Sequence, residues 1–158
     1  MFRSLPVART RCRPDDLPPS ASAYPRDLVT LGWEDRLKAR ARRRSDSGYE
    51  FATALPRGTI LVAGDLLVLD DVRRVVEVRE FEEDVLVIRP ASPQQWALFA
   101  YHIGNSHQPV MIADDGIVCA ELLGMKQVLE FHAIPFERER RPFTPVGLIP
   151  DHQHAVRA

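Results

Sequence analysis

Hydrophobic and polar positions alternate with period two through most of the first half of the chain. "LVTLGW" alternates from Leu28, and "RLKARAR" does so more strictly. In the latter, Leu37, Ala39 and Ala41 fall on one face and Arg36, Lys38, Arg40 and Arg42 on the other, the signature of a half-buried strand. "YEFATAL", "TILVAGDLLVLD" and "RRVVEVREF" follow, separated by "PRG" and "DD" turn chemistry. No stretch between Asp27 and Phe81 carries a helical stripe, so this half is predicted to be all-β.

The second half changes period. "DVLVIRP" is an apolar run suited to a buried strand. "SPQQWALFAYHIGN" has helix signals at both ends: Ser92 as N-cap, Pro93 at the first position, Gln95 to complete a capping box, and Gly104-Asn105 as a left-handed stop. Trp96, Phe99, Ala100 and Ile103 form its apolar stripe. "PVMIAD" and "GIVCA" around Asp114-Asp115-Gly116 predict a hairpin. "ELLGMKQVLEFH" predicts a second helix, with Leu122, Met125, Val128 and Leu129 inward, and "IPFERE" a closing strand. The fold class is therefore α+β, an all-β domain followed by a ferredoxin-like βαββαβ unit. The expected boundaries are a weakly ordered, Pro-, Ser- and Arg-rich arm over 1–26, the β domain over 27–84, the ferredoxin-like domain over 85–140, and a flexible tail over 141–158.

Composition narrows the function. The chain has 158 residues, 45% hydrophobic and 27% charged, which is enough for one ordinary domain or two small ones. A net charge of -1 gives no reason to expect nucleic acid or an anionic membrane as partner. No apolar run approaches the roughly 20 residues of a membrane helix. Cys12 and Cys119 stand in no paired motif, which fits a reducing cytoplasm. The first fourteen residues are rich in arginine, yet Pro6 and Pro14 interrupt any amphipathic helix, so a loose arm or irregular first strand is expected there instead of a targeting sequence.

Candidate chemistry centres on "YHIGNSHQPV". On a continuous helix His102 and His107 would lie roughly 140° apart, too far around to chelate one ion as an i, i+4 pair does. The Gly-Asn stop leaves His107 as a single imidazole just beyond a helix C-terminus, where unpaired carbonyls favour a cation. A two-fold axis would place the same imidazole opposite itself and make a usable metal site. A loop histidine bonded to backbone is the alternative.

"HIGNSH" resembles the His-hydrophobic-Gly-Asn-x-His motif of the urease accessory protein UreE family, the nickel metallochaperones of urease assembly. "VTLGWEDRLKARARRRSDSGYEFATALPRGTILVAGDLLVLDD" is similar to that family's N-terminal signature, and "IPFERE" to its closing strand. The resemblance runs from about Asp27 to Glu139. It implies a cytoplasmic homodimer formed by the C-terminal domain, with one Ni(II) shared by His107 of each subunit. It further implies ligands from the tail, which points to His152 and His154. Zn(II) or Cu(II) would suit the same imidazoles. The implied partners are the urease apoenzyme and its GTPase-containing accessory complex. The chain departs from the family in having only two tail histidines and none in the hairpin, so one transferable ion is expected instead of storage of several.

The other candidates have simpler readings. His102 is expected as a packing or supporting residue, His132 as a cation at a helix C-terminus, and Cys119 as a small buried apolar group. The strand Arg36–Arg44 could dock an acidic partner, or could be a solvated face paired with the acidic run Glu77–Asp84. The leading function is a nickel metallochaperone that is not an enzyme. A metal-dependent hydrolase and a docking scaffold built on Arg36–Arg44 are the alternatives.

Overall fold

The computed structural model describes residues 5–146. The chain divides into two compact units at Phe81 and Glu82, each treated separately below. Its strands form three sheets, and its helices are few.

The first unit contains β1 (Val7–Ala8), β2 (Arg11–Cys12), β3 (Arg26–Leu31), α1 (Trp33–Arg36), β4 (Arg40–Arg44), β5 (Glu50–Ala54), β6 (Leu66–Leu69) and β7 (Arg74–Glu80). One sheet has the order β1-β5-β4 and the other β2-β6-β7-β3. Alternation explains the packing between them. Phe51 of β5, Val29 and Leu31 of β3, Leu67 and Leu69 of β6, and Val76 and Val78 of β7 share one core. Burying each such side chain contributes roughly 1.5–3 kcal/mol.

Strand β6 is buried at every position, as a continuous apolar run requires when both faces of a strand are covered. The cover on its second face comes from the N-terminal segment. Cys12, Leu17, Ala21 and Tyr24 pack on Leu66, Val68 and Val75. This corrects the expected weakly ordered arm over 1–26 for its described residues, 5–26. β1 pairs in parallel with β5, β2 pairs with β6, and Ala8 and Ala21 are fully buried. The segment is polar and Pro-rich because it is a lid with short strands, held by backbone pairing and by Arg11 and Arg13 donating to the buried carboxylate of Asp65 at 3.0 and 3.1 Å.

The first unit also departs from an all-β reading. Trp33–Arg36 is one helical turn with Glu34 and Asp35 in its first turn, where acids are favoured. The alternation from Arg36 is therefore expressed as a strand only from Arg40. Arg36 is not on a solvated face: its side chain is 1% exposed and donates to Glu80 Oε1 at 3.1 Å. Arg43 is also buried, donating to Thr53 Oγ1 and to the carbonyls of Asp35 and Lys38 at 3.2, 3.1 and 2.6 Å. An Arg36–Arg44 docking strand is overturned as a single surface, because two of its cations are structural.

The second unit runs β8 (Glu82–Ile88), α2 (Pro93–Gly104), β9 (Val110–Ala113), β10 (Gly116–Ala120), α3 (Leu123–Phe131) and β11 (Glu137–Pro142). Its sheet has the order β11-β8-β10-β9, with every neighbouring pair antiparallel. Leu86, Ile88, Ile117 and Cys119 meet Phe99 and Ile103 of α2 and Met125 and Leu129 of α3 in one core. Ala100 and Leu122, expected inward, are exposed, and Val128 is half-buried.

Helix α2 begins as its sequence predicts. Ser92 Oγ accepts the Gln95 N–H at 3.2 Å. The return bond goes one residue further back than a capping box would send it, because Gln95 Oε1 accepts the N–H of Ala91 at 2.7 Å. Helix α3 ends in a Schellman arrangement with Ala133 at φ 52: Ile134 N–H reaches Leu129 O at 2.8 Å and Ala133 N–H reaches Glu130 O at 3.1 Å.

The expected tail over 141–158 begins too early. Arg141 and Pro142 belong to β11, Phe143 is fully buried and Pro145 is buried. The segment after β11 then reaches the opposite edge of the sheet, where Val146 N–H donates to Val110 O at 2.7 Å.

Candidate metal site

The end of α2 explains how the first candidate ligand is presented. Gly104 lies within the helix, and Asn105 remains right-handed at φ -64°. The left-handed residue is His107 itself, at φ 56. This corrects the expected Gly104-Asn105 stop and has a local cause. Ser106 N–H donates to Ile103 O and His107 N–H to Gly104 O, both at 3.1 Å, so the chain keeps turning tightly past the helix end. Pro109 then disfavours helical backbone at Gln108, and the reversal is left to His107. A left-handed conformation costs an ordinary residue about 1–2 kcal/mol.

The His107 side chain is exposed. Its turn leads directly into β9, whose first residue, Val110, is the acceptor for Val146 N–H. The last described residues of the chain therefore lie beside the strand that starts three positions after His107. His152 and His154 fall outside the described residues.

His102 and His132 are brought together. Their rings stack with centroids 3.8 Å apart and planes inclined by 22°. His102 is half-buried in the last turn of α2, and His132 is the exposed C-cap of α3. Sequence reasoning assigned each a separate local role and missed the pairing. The available signal was that both stand at helix C-termini within one βαββαβ unit. Among the described residues, no group of three or more His, Cys, Asp or Glu side chains could hold a metal ion.

Two other titratable groups of the second unit, Cys119 and Asp115, are held in structural roles. Burial pushes the Cys119 thiol up to about 12, so thiolate chemistry there is suppressed. Arg141 forks onto Asp115 with two contacts of 2.9 Å. That hydrogen bonding, with the charges of Arg141 and Arg89, holds the Asp115 carboxyl at about 2. A carboxylate so tied is a poor general base, which counts against Asp115 in that role for a hydrolase. Among the described residues, no helix is long and apolar enough to cross a membrane.

Comparison with known proteins agrees with this architecture. Residues 10–79 match the family described as UreE urease accessory protein, N-terminal domain, and residues 83–157 match its C-terminal domain. A urease accessory protein UreE of Burkholderia orbicola is 40% identical over 119 residues, which cover 70% of this chain and 57% of that protein. One from Enterobacter sp. is 36% identical over 123 residues, covering 73% of this chain and 81% of that one. A third, from Cupriavidus necator, is 38% identical over 117 residues, covering 74% and 60%. The chain thus spans little more than half the length of several relatives and four-fifths of another. These names describe an accessory protein and not a catalyst, in keeping with the expectation that the chain is not an enzyme. With both domain families matched in order along most of its length, the chain belongs to the UreE urease accessory protein family.

Proposed function

We propose that the chain is a cytoplasmic nickel metallochaperone of urease maturation, acting as a homodimer that holds one Ni(II) between the His107 imidazoles of its two subunits. The carrying observation is His107 itself, an exposed imidazole on a left-handed turn just past a helix C-terminus. Backbone strain persists where the surrounding structure enforces it, and here it fixes the direction of a metal-binding side chain. Imidazole suits nickel, and Zn(II) or Cu(II) would compete for the same nitrogens.

Two further features support the reading. The βαββαβ order and antiparallel sheet fit a ferredoxin-like dimerisation domain. That unit also exposes Leu98, Tyr101, Ile112, Leu122, Leu123 and Phe131, apolar surface of the kind that self-association covers. The tail histidines complete the shell. Val146 is seated at Val110, and His152 follows six residues later, a contour of at most about 20 Å. Few protein ligands and a terminal segment as cover favour release, as delivery to the urease apoenzyme and its GTPase-containing accessory complex demands.

Isothermal titration with Ni(II), alongside sedimentation, tests the proposal. One ion per two chains is expected, lost in His107→Ala. A monomer that binds nickel with His107→Ala unchanged refutes it.

A further inference from the structure

Gly124 stands in the first turn of α3, and its backbone is not left-handed, so the path of the chain does not call for glycine there. Glycine is also the poorest helix former after proline. What requires it is a neighbour. A Cβ at this position would lie 2.6 Å from Gln108 Nε2 and 3.6 Å from Gln108 Cδ, so the Gln108 amide fills the space a side chain would take. We infer that Gln108 is a positioning residue for His107: its amide seats in the notch left by Gly124 and fixes the left-handed turn against α3. This rests on the proposed function, because it concerns the imidazole that is to hold the ion.

Packing keeps the amide in the notch. Gln108 Oε1 is buried and has no hydrogen-bond partner. An unpaired buried acceptor costs free energy, and a side chain free to leave would turn that oxygen to water. On the other side of the turn, His107 N–H donates to Gly104 O at 3.1 Å. The left-handed residue is thus tied to α2 before it and to α3 after it, and the two ties hold a conformation that an ordinary residue disfavours. The notch also has a second neighbour of consequence. Gly124 directly follows Leu122 and Leu123, which are 44% and 77% exposed and belong to the apolar surface that self-association would cover. One contact therefore sets the direction of the imidazole relative to the surface on which a second chain seats. A shared ion depends on both.

Gly124→Ala separates positioning from stability. The atom that the new Cβ meets is the far end of a flexible side chain, so the amide is displaced and the helix is not. Alanine also favours the helix. The urea midpoint of the metal-free, full-length chain should therefore stay level or rise. Ni(II) affinity by isothermal titration should nevertheless fall by about threefold or more, as expected of coupled neighbours. In the background Gln108→Ala the notch is empty, and adding Gly124→Ala should leave the affinity unchanged. In the metal-free protein, the backbone and imidazole resonances of His107 should shift in Gly124→Ala, and should stay in place when the same change is added to Gln108→Ala. Because that readout involves no ion, it still decides the role of Gln108 if nickel binding in His107→Ala is unchanged and the proposed function fails. The inference is overturned if Gly124→Ala leaves the His107 resonances in place, if it leaves affinity unchanged where His107→Ala abolishes binding, if either effect is as large without Gln108 as with it, or if the midpoint falls.

Discussion

The left-handed turn at His107 can be tested by energy as well as by metal binding. The appropriate pair is His107→Gly against His107→Ala, since both remove the imidazole and differ only at the backbone. At φ 56 an alanine bears the left-handed cost of about 1–2 kcal/mol, while glycine bears almost none. Glycine gives back roughly 0.4–1 kcal/mol through the greater freedom of its unfolded chain. The variant His107→Gly should therefore be more stable than His107→Ala by about 0.5–1 kcal/mol. For a chain of this size that is roughly 1–4 °C in Tm. Urea denaturation followed by circular dichroism, with the slopes held common, reads the difference directly. Both variants should lose the ion bound between two chains. Equal midpoints, or a lower midpoint for glycine, would mean that the turn is not left-handed in solution, and the claim that backbone strain aims the imidazole would fail.

Other consequences follow from neighbouring geometry. A Cβ on Gly116 would stand 2.2 Å from the Ile88 carbonyl oxygen on the adjacent strand, so Gly116→Ala should destabilise the second unit by more than about 2 kcal/mol, seen as a lowered urea midpoint. Ala133 sits at φ 52 in the cap of α3, so Ala133→Gly should raise stability by about 0.5–1 kcal/mol in the same assay. Asp27 opposes the cost of burial with hydrogen bonds from Ser47, Ser45 and the Leu28 N–H and with the charge of Arg74, which together hold its carboxyl at about 2. A depressed folded pKa means stability that is complete above the ordinary carboxylate range and is lost as pH falls from about 4 towards 2. Asp27→Asn should flatten that part of the acid-unfolding curve. Burial raises both thiols, Cys119 to about 12. A disulfide reagent at pH 8 should therefore leave Cys119 untouched until the protein unfolds.

Features written within a few residues were legible in the sequence. Ser92 and Pro93 start α2 because a side-chain acceptor and a missing N–H solve the helix-end problem locally. Asp114-Asp115-Gly116 turns the hairpin, and alternating residues select the inward faces of β5 and β7, for equally local reasons. The exposed imidazole beyond the end of α2 was legible too, since a helix terminus and a proline mark its position. What required the tertiary structure depends on partners distant in the chain. Val7–Ala8 and Arg11–Cys12 are strands only because β5 and β6 offer them hydrogen bonds, and the polar segment around Ala21 is ordered because β6 needs cover on both faces. Arg36 belongs to an alternating basic pattern, yet it is buried because Glu80 waits beside it, 44 residues on. His102 and His132 looked like two separate helix-end residues. Packing of α2 and α3 on one sheet stacks their rings, and no local periodicity carries that information, because it is set by how two helices meet and not by what either helix contains.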